Sequence, residues 1–490
     1  MTAARDRLAI ATWAYVLLPP VLLLAGWCRW YVACPAALLG AWAAAACVRK
    51  GAWRAAFAPV SRTALRTWLV GLLLASAFLL LSGWGGFTGQ TADHVYRNAL
   101  LAELVVSPWP VALPDGRVLS YNFAWWLPPA IVGHMFGEFA SRVAVCLWGG
   151  LGLFLSAANL RRFSGAGWMF IAFALYFFGP LDVVQRLVMT AGGDPGYNFW
   201  NLGYVGIMEL LVSQAHSLLP TMLLALLFLR GRVPLRLLGL AMGAGMMLNP
   251  LGMNALSVLG LTGLAEGLRR GEPWRSLVSP ANAAGLLAGV AACALLHINA
   301  VAEGNGVQLR WYYTAWPEWL TLAAGYLAYT VFLQRGDWKN LWLPTAAATT
   351  LLLPFAAVWG AFGINDWCMK GGMALMPVVL AFLLRACRER PRLRWVVACV
   401  LVLGVWPAAV PALQARNLYQ AVVLAAGELR IPFTADARRL LPEKDHRRFE
   451  WNGTMCHPES PLYGNFTGTP DAFYRFVFRQ RGSAARLPHG

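Results

Sequence analysis

The stretch TWLVGLLLASAFLLLSGWGGFTGQTADHVYRN, residues 67–98, decides the class of fold. Residues 67–87 carry no charge, and about 20 apolar residues are what one helix needs to cross a bilayer. The run ends in polar residues that include Asp93 and, four residues later, Arg97. A carboxylate near the bilayer core costs about 2.5–3.5 kcal/mol, so an acid here indicates a paired or functional group.

The same ending follows two later apolar runs. It recurs at Asp182/Arg186 and at Asp366/Lys370. If the three pairs lie on one side of the membrane, they would frame one polar site suited to protons and anions. The sequence therefore indicates where chemistry should be sought.

Composition indicates a membrane protein. Hydrophobic residues make up 59% of the 490 residues, charged residues make up 13%, and the mean hydropathy is +0.54. We predict an all-α, polytopic protein of about 13 transmembrane helices. The predicted spans are residues 8–27, 31–48, 67–87, 140–159, 167–185, 212–229, 233–249, 252–268, 277–298, 317–334, 340–361, 371–386 and 393–413.

The net charge is +18, and the distribution of the basic residues indicates how the chain is oriented in the membrane. It gives no reason to expect nucleic acid as a partner. The N-terminus and alternate loops hold 22 of the 40 Lys and Arg residues, and the opposite loops before the tail hold 7. Cytoplasmic loops carry this excess. We therefore expect a cytoplasmic N-terminus and an extracytoplasmic C-terminus, with the lipid bilayer as an obligatory partner.

Three regions follow from this topology. Residues 1–66 form two N-terminal helices and a basic cytoplasmic loop, residues 67–413 form the main transmembrane domain, and residues 414–490 form a small extracytoplasmic tail. The outer loops of the main domain are 88–139, 186–211, 299–316 and 362–370.

The first outer loop has helical and aromatic character. A helix from Asp93 would place Leu100, Leu101 and Leu104 on one face, so we expect an amphipathic interfacial helix on the membrane surface. Aromatic residues follow at Tyr121, Phe123, Trp125 and Trp126. They are typical of interface anchors, and sugar stacking is the alternative.

The nine cysteines show no CxxC pair and no His/Cys metal spacing, so no structural zinc is expected. Cys368 and Cys456 are both predicted outside, where a disulfide would persist. No cofactor is predicted, and no motif supports a divalent metal.

Several polar residues near predicted outer ends have two interpretations. Asp93 is either a base or a helix cap paired with Arg97. Asp182 and Asp366 are either acceptor-binding groups, a second base or metal ligands, or structural partners of the following cations.

His216, beside Gln214 at the mouth of a span, is either a sugar or phosphate ligand or a structural histidine. His94 and His134 are weaker candidates, and His297 is expected to cap a helix end.

The order of motifs resembles a group of bacterial inner-membrane proteins of the GT-C glycosyltransferase class. The motifs are SGWGGFTGQTADHVYRNALLAELVVSPWPV at 82–111, YNFAWWLPPAIVGHMFG at 121–137, FGPLD at 178–182, VSQAHSLLP at 212–220 and NDWCMKGGMALMP at 365–377. Three departures are Arg97 where the group usually has histidine, Ala215 between Gln214 and His216, and Leu375-Met376 where the group has Ser-Ile.

The resemblance implies a GT-C-like fold in the bacterial inner membrane and sugar transfer on the extracytoplasmic face. The donor would be a polyprenyl-phosphate-linked sugar, and the acceptor a glycan, a lipid or a protein. Asp93 would be the general base, and Arg97 and Lys370 would bind the donor phosphate. Simple interfacial anchoring remains the alternative for both cations. The other positions that the resemblance assigns to substrate binding are Asn98, Asp182, Gln214, His216 and Asp366.

Two rival functions remain. A lipid-linked glycan ligase or polymerase would be expected to have a large late outer loop, whereas the loops after residue 220 are short. A transporter or flippase would be expected to have broken helices and two halves of related sequence. Asn249-Pro250 and the glycine-rich AMGAGM at 241–246 are the only hints of a broken helix.

Overall fold

The computed structural model describes residues 7–49, 61–88, 92–112, 116–120, 122–179, 206–303, 316–334, 340–355, 366–403, 467–468 and 470–479. For some residues inside helices, Asp93 and Asp366 among them, it describes the backbone only. Asp182, Arg186, Tyr121 and Cys456 lie outside the described residues.

The described chain is almost entirely helical. The helices are α1 (Arg7–Trp27), α2 (Trp30–Arg49), α3 (Arg62–Leu81), α4 (Ala92–Val106), α5 (Leu127–Phe136), α6 (Glu138–Ser164), α7 (Trp168–Phe177), α8 (Ile207–Leu229), α9 (Leu238–Leu248), α10 (Met253–Arg269), α11 (Pro280–Glu303), α12 (Trp316–Gln334), α13 (Trp342–Leu352), α14 (Asp366–Glu389), α15 (Leu393–Leu403) and α16 (Ala472–Val477). Two short strands, β1 (Val118–Leu119) and β2 (Thr467–Gly468), pair antiparallel. Single 3-10 turns occupy Trp84–Gly86, Ala124–Trp126, Leu235–Leu237, Pro250–Gly252, Trp274–Leu277 and Leu353–Phe355.

The chain is a multi-pass, helical membrane protein by length and composition. Within the described residues, seven helices are long and apolar enough to cross a membrane: Arg7–Trp27, Arg62–Leu81, Glu138–Ser164, Ile207–Leu229, Pro250–Arg269, Pro280–Ile298 and Cys368–Glu389. Each predicted span overlaps a described helix, but several of these helices are shorter than a full crossing. The total of 13 spans stays a prediction.

Helices α8 and α14 form the centre of the bundle. The apolar window of α8 is 94% buried and that of α14 is 89% buried, whereas the window of α3 is 17% buried. The two central helices pack against each other, and α6 packs against both. Because lipid tails are as apolar as leucine, close packing holds such helices together, with little help from the hydrophobic effect.

Glycines bring α9 and α11 together. A Cβ atom on Gly243 would lie 2.1 Å from the carbonyl oxygen of Gly285, and one on Gly285 would lie 2.1 Å from that of Gly239. Small residues spaced four apart allow such close backbone approach in membranes. The glycine-rich segment is therefore a helix-packing surface, and the helix breaks just after it.

One correction concerns α4, which is a helix as predicted but does not lay its apolar face on the membrane. Leu100, Leu101 and Leu104 are at most 1% exposed and belong to the main hydrophobic core. Helix α4 packs on α5 and α6. The periodicity therefore identified the helix but not what covers its apolar face.

The described part of the tail docks beside the first loop. Strand β2 pairs with β1, and Phe478 forms a bridge with Cys28. The guanidinium of Arg479 donates to the carbonyl oxygens of Cys28 at 2.9 Å and Ala25 at 3.2 Å. The end of α1, the first loop and this tail segment therefore meet at one end of the bundle.

Candidate functional site

A glycine turn at the end of α3 positions the first element of the site. Gly83, Gly85 and Gly86 have φ angles of 96°, 77° and 73°, in the left-handed region that glycine occupies without strain. Arg142 of α6 holds this turn: its Nε donates to the Gly85 oxygen at 2.6 Å and its Nη2 to the Gly86 oxygen at 2.8 Å. The turn directs Trp84 into the bundle, where the indole is 1% exposed.

Three tryptophan rings surround one histidine. The ring centroid of His216 lies 6.3 Å from that of Trp84, 6.4 Å from Trp125 and 5.7 Å from Trp126. His216 is completely buried. We call these four side chains the aromatic cage.

The aromatic cage contains buried nitrogen atoms without a hydrogen-bond partner among the described residues. Among the described residues, neither ring nitrogen of His216 nor the indole nitrogen of Trp126 has a hydrogen-bond partner. A buried polar group without a partner costs about 1–3 kcal/mol, so such groups are rare without a bound water, ion or ligand. This pattern makes the cage a candidate binding site.

Helix α8 is distorted just before His216. Gln214 has φ −136° and ψ 27°, which interrupts helical geometry, and Pro220 lies six residues further on. The indole Nε1 of Trp84 donates to the carbonyl oxygen of Leu211 at 2.8 Å. The distortion thus turns polar side chains of α8 toward the cage and the neighbouring α14.

Lys370 contacts α8 at this distortion. It is 5% exposed, and its Nζ donates to Gln214 Oε1 at 2.5 Å and to Ser217 Oγ at 3.4 Å. Lysine is rarely buried without polar partners. Two residues of α8 therefore hold a cation that α14 supplies.

A second helix break lies against the same region. Asn249, between α9 and the 3-10 turn at Pro250–Gly252, is 1% exposed. Its Nδ2 donates to Thr221 Oγ1 at 3.0 Å, and its Oδ1 accepts from the Gly252 amide at 3.2 Å. A Cβ atom on Gly252 would lie 3.0 Å from the Lys370 carbonyl oxygen, so this break packs directly on α14.

Helix α4 supplies the remaining polar groups. His94, Arg97 and Asn98 are all buried, and the His94 ring lies 5.4 Å from that of Trp84. Arg97 and Lys370 both interact electrostatically with His216. Two cations from distant parts of the chain therefore lie near one imidazole.

The structure brings together four of the predicted site residues. Arg97, Gln214, His216 and Lys370 share one buried region, and Asn98 follows Arg97 on α4. Asp93 lies in the first turn of α4 and Asp366 begins α14, but only their backbones are described. The placement of Asp182 lies outside the described residues.

The interpretation of the aromatic residues of the first loop as membrane-interface anchors is wrong. Phe123, Trp125 and Trp126 are at most 1% exposed and belong to the core, so they do not anchor the chain at the membrane interface. His134 is exposed and packs edge-on against Trp109, outside the cage.

His297 lies inside α11 and does not cap its end. Its Nε2 lies 2.9 Å from the carboxylate of Asp471, the residue that caps α16. His297 therefore connects α11 to the docked tail and takes no part in the aromatic cage.

Sequence reasoning missed Trp84, Arg142 and Asn249 as parts of the site. The consecutive glycines around Trp84 were the available signal for a left-handed turn. No metal site emerges from the described residues, which contain no group of three His, Cys, Asp or Glu side chains able to hold an ion.

No family model, curated protein or solved structure matches this chain. The resemblance to GT-C enzymes therefore rests on the order of short motifs alone.

Proposed function

We propose that the protein is a membrane glycosyltransferase that moves a sugar from a polyprenyl-phosphate donor to an acceptor on the extracytoplasmic face. The observation that carries this proposal is the buried His216, which has no hydrogen-bond partner among the described residues and faces the charges of Arg97 and Lys370. A site with two cations and free polar atoms suits an anion with hydroxyl groups. A sugar phosphate has both.

The cations would act on the leaving group. When the bond between the anomeric carbon and the phosphate oxygen breaks, the electron pair stays with the phosphate. Arg97 would contact it as a bidentate fork and Lys370 as a point charge. Groups already aimed at the place where charge develops are the largest single source of catalysis in many enzymes.

Asp93 would act on the acceptor. The described backbone makes residues 92–106 helical, so position 93 lies one turn before Arg97 on the same helix face. The carboxylate would take the proton from the acceptor hydroxyl as the oxygen attacks the anomeric carbon. A positioned general base contributes about 10²–10⁴-fold to the rate.

The aromatic cage would form one wall of the sugar site. Aromatic faces suit the apolar faces of a sugar ring, and the free nitrogens of His216 and Trp126 would hydrogen-bond its hydroxyls. These contacts would orient the anomeric carbon toward the acceptor, and the effective concentration gained by such orientation is large.

The test is transfer of a labelled sugar from polyprenyl phosphate in membranes. Asp93→Asn should lower the transfer rate by about 10²-fold or more, because the amide is similar in size but cannot take a proton. Asp471→Asn is the matched control: Asp471 also lies at a helix start, where its carboxylate accepts from the Tyr474 amide at 2.8 Å, and it is outside the site. Equal rates for Asp93→Asn and the wild type would refute the proposed base.

Transport of an anionic lipid or sugar phosphate is a second candidate. It is favoured by two interruptions, in α8 at Gln214 and between α9 and α10 at Asn249, that lie beside the same buried lysine. Transporters build substrate sites from such broken helices. Movement of a labelled lipid phosphate across proteoliposomes with no transfer to any acceptor would favour this candidate.

A further inference from the structure

An apolar groove runs along the outside of the bundle, apart from the aromatic cage. It encloses about 670 Å³ between α3, α6, α7 and α8. Its lining on α3 is a stripe of residues on one helix face, from Arg66 through Val70 and Leu74 to Phe78. At 1.5 Å per residue this stripe is about 18 Å long, close to the depth of one leaflet, which is about half of the 30 Å hydrocarbon core.

The two mouths of the groove differ in charge. Arg66 and Thr67 line one mouth together with Trp168, and the guanidinium of Arg161 lies over the Trp168 ring at 4.7 Å. The lining at the opposite mouth consists of uncharged residues, namely Phe78, Tyr176, Met208 and Leu211. An amphiphile with an anionic head and an apolar chain matches this polarity.

The shape of the groove suits a flexible chain. Gly71 lets Phe154 approach α3, since a Cβ atom there would lie 2.4 Å from the phenyl ring. The ring of Phe154 in turn stacks on Trp168 at 5.9 Å. These aromatic side chains form the floor of the groove, and the exposed Leu74 and Met169 form its rims.

We propose that this groove binds one anionic phospholipid, with its phosphate at Arg66 and Arg161 and one acyl chain between α3 and α7. The predicted topology puts these arginines at the cytoplasmic leaflet, where anionic lipids attract basic residues. The occupant is a membrane lipid and not the proposed sugar donor, because the cations lie at the mouth remote from Leu211, the lining residue that accepts the Trp84 indole.

The test is photo-crosslinking in nanodiscs of the full chain with phosphatidylglycerol or phosphatidylcholine that carries a diazirine in the acyl chain. Crosslinks should map to residues 66–78 and 168–176 and favour phosphatidylglycerol. Each arginine near the anionic head contributes about fivefold, so Arg66→Gln/Arg161→Gln should abolish that preference. Arg275→Gln is the control, because Arg275 is another exposed arginine that lies over a tryptophan ring, at 5.9 Å from Trp274. This variant should keep the preference for phosphatidylglycerol.

A second pair of variants tests the chain site. Ala75→Trp fills the groove and should remove the crosslinks with either lipid, whereas Leu73→Trp places the same indole at an exposed position outside the lining and should not. Equal labelling by the two lipids in the wild type would overturn the headgroup assignment. Displacement of phosphatidylglycerol by a polyprenyl phosphate would show that the groove serves the donor and would overturn the proposal.

Discussion

The ammonium of Lys370 donates a 2.5 Å hydrogen bond to the side-chain oxygen of Gln214, at the residue where α8 leaves helical geometry. The distortion and the buried cation therefore meet at one side chain. In an undistorted α8 the side chain of Gln214 would point in a different direction relative to Lys370. We therefore expect the pair to couple the shape of the central helix to the charge of the site.

This coupling is measurable as a double-mutant cycle. Lys370→Met leaves Gln214 without this donor, and Gln214→Leu removes an acceptor from a buried cation, so each should lower stability by about 1–3 kcal/mol. The double variant should lose less than the sum of the two losses, because replacing both partners by apolar groups is close to neutral. Unfolding in mixed detergent micelles measures these free energies.

The same variants separate stability from function. The double variant should fold and still transfer little sugar, because it lacks the cation proposed to contact the phosphate. If the two single losses simply add, the hydrogen bond between the two side chains has no energetic role.

The indole of Trp84 should matter for activity beyond its contribution to stability. Trp84→Phe removes the hydrogen bond to Leu211 that accompanies the α8 distortion, and we expect kcat/KM for the donor to fall about tenfold, or 1.4 kcal/mol. Trp319→Phe is a matched control because Trp319 Nε1 donates to the Leu351 carbonyl at 2.9 Å, on the far α12 and α13. Equal falls in kcat/KM for the two variants would mean that Trp84 acts through stability alone.

The glycine turn should tolerate no side chain at Gly85. Alanine with a φ of 77° costs about 1–2 kcal/mol, and its Cβ would lie 2.7 Å from the Arg142 carbonyl oxygen, which adds about 1–3 kcal/mol of overpacking. Gly271, in the turn after α10, has a φ of 80° with nothing within 4 Å of an added Cβ, so Gly271→Ala carries the strain of the positive φ alone. Unfolding free energies should therefore fall further for Gly85→Ala, and similar losses would exclude a steric role for the Arg142 backbone.

The sequence predicted the helices well and their surroundings poorly. Hydropathy identifies apolar segments, but lipid and protein interior are equally apolar, so it could not tell that Trp125 and Trp126 face protein. The periodicity of α4 likewise placed its leucines on one helix face, but it could not tell whether lipid or protein covers that face. The motifs and the family they resemble had named Gln214, His216 and Lys370 as substrate-binding candidates, and the structure places the three in one region.

The distortion at Gln214 had no clear signal in the sequence. Pro220 weakens the helix, but the departure from helical angles occurs six residues earlier. It coincides with contacts from Trp84 and Lys370, which come from segments far away along the chain. Such features depend on tertiary contacts that local patterns do not contain.

The docked tail should protect Cys28. Burial raises the pKa of this thiol from 9.0 to about 12, an effect that the charge of Arg479 partly opposes, so the thiol is neutral and unreactive at pH 8. Val477→Asp places a carboxylate at a fully buried position of α16 and should undock the tail. As the pKa falls back towards 9, the thiolate fraction at pH 8 rises by up to about 10³-fold, and maleimide labelling followed by peptide mass spectrometry measures it.

Ala472→Asp controls for the added charge, because Ala472 is an exposed residue in the first turn of the same helix, where an acid is well tolerated. It should leave Cys28 as unreactive as in the wild type.

The raised pKa of Cys28 also sets the pH dependence of docking. Above about pH 9 the thiol ionises when the tail is undocked but not when it is docked. Docking should therefore weaken as the pH rises from 9 to 11. Rapid labelling of wild-type Cys28 at pH 8 would show that the tail does not cover this thiol.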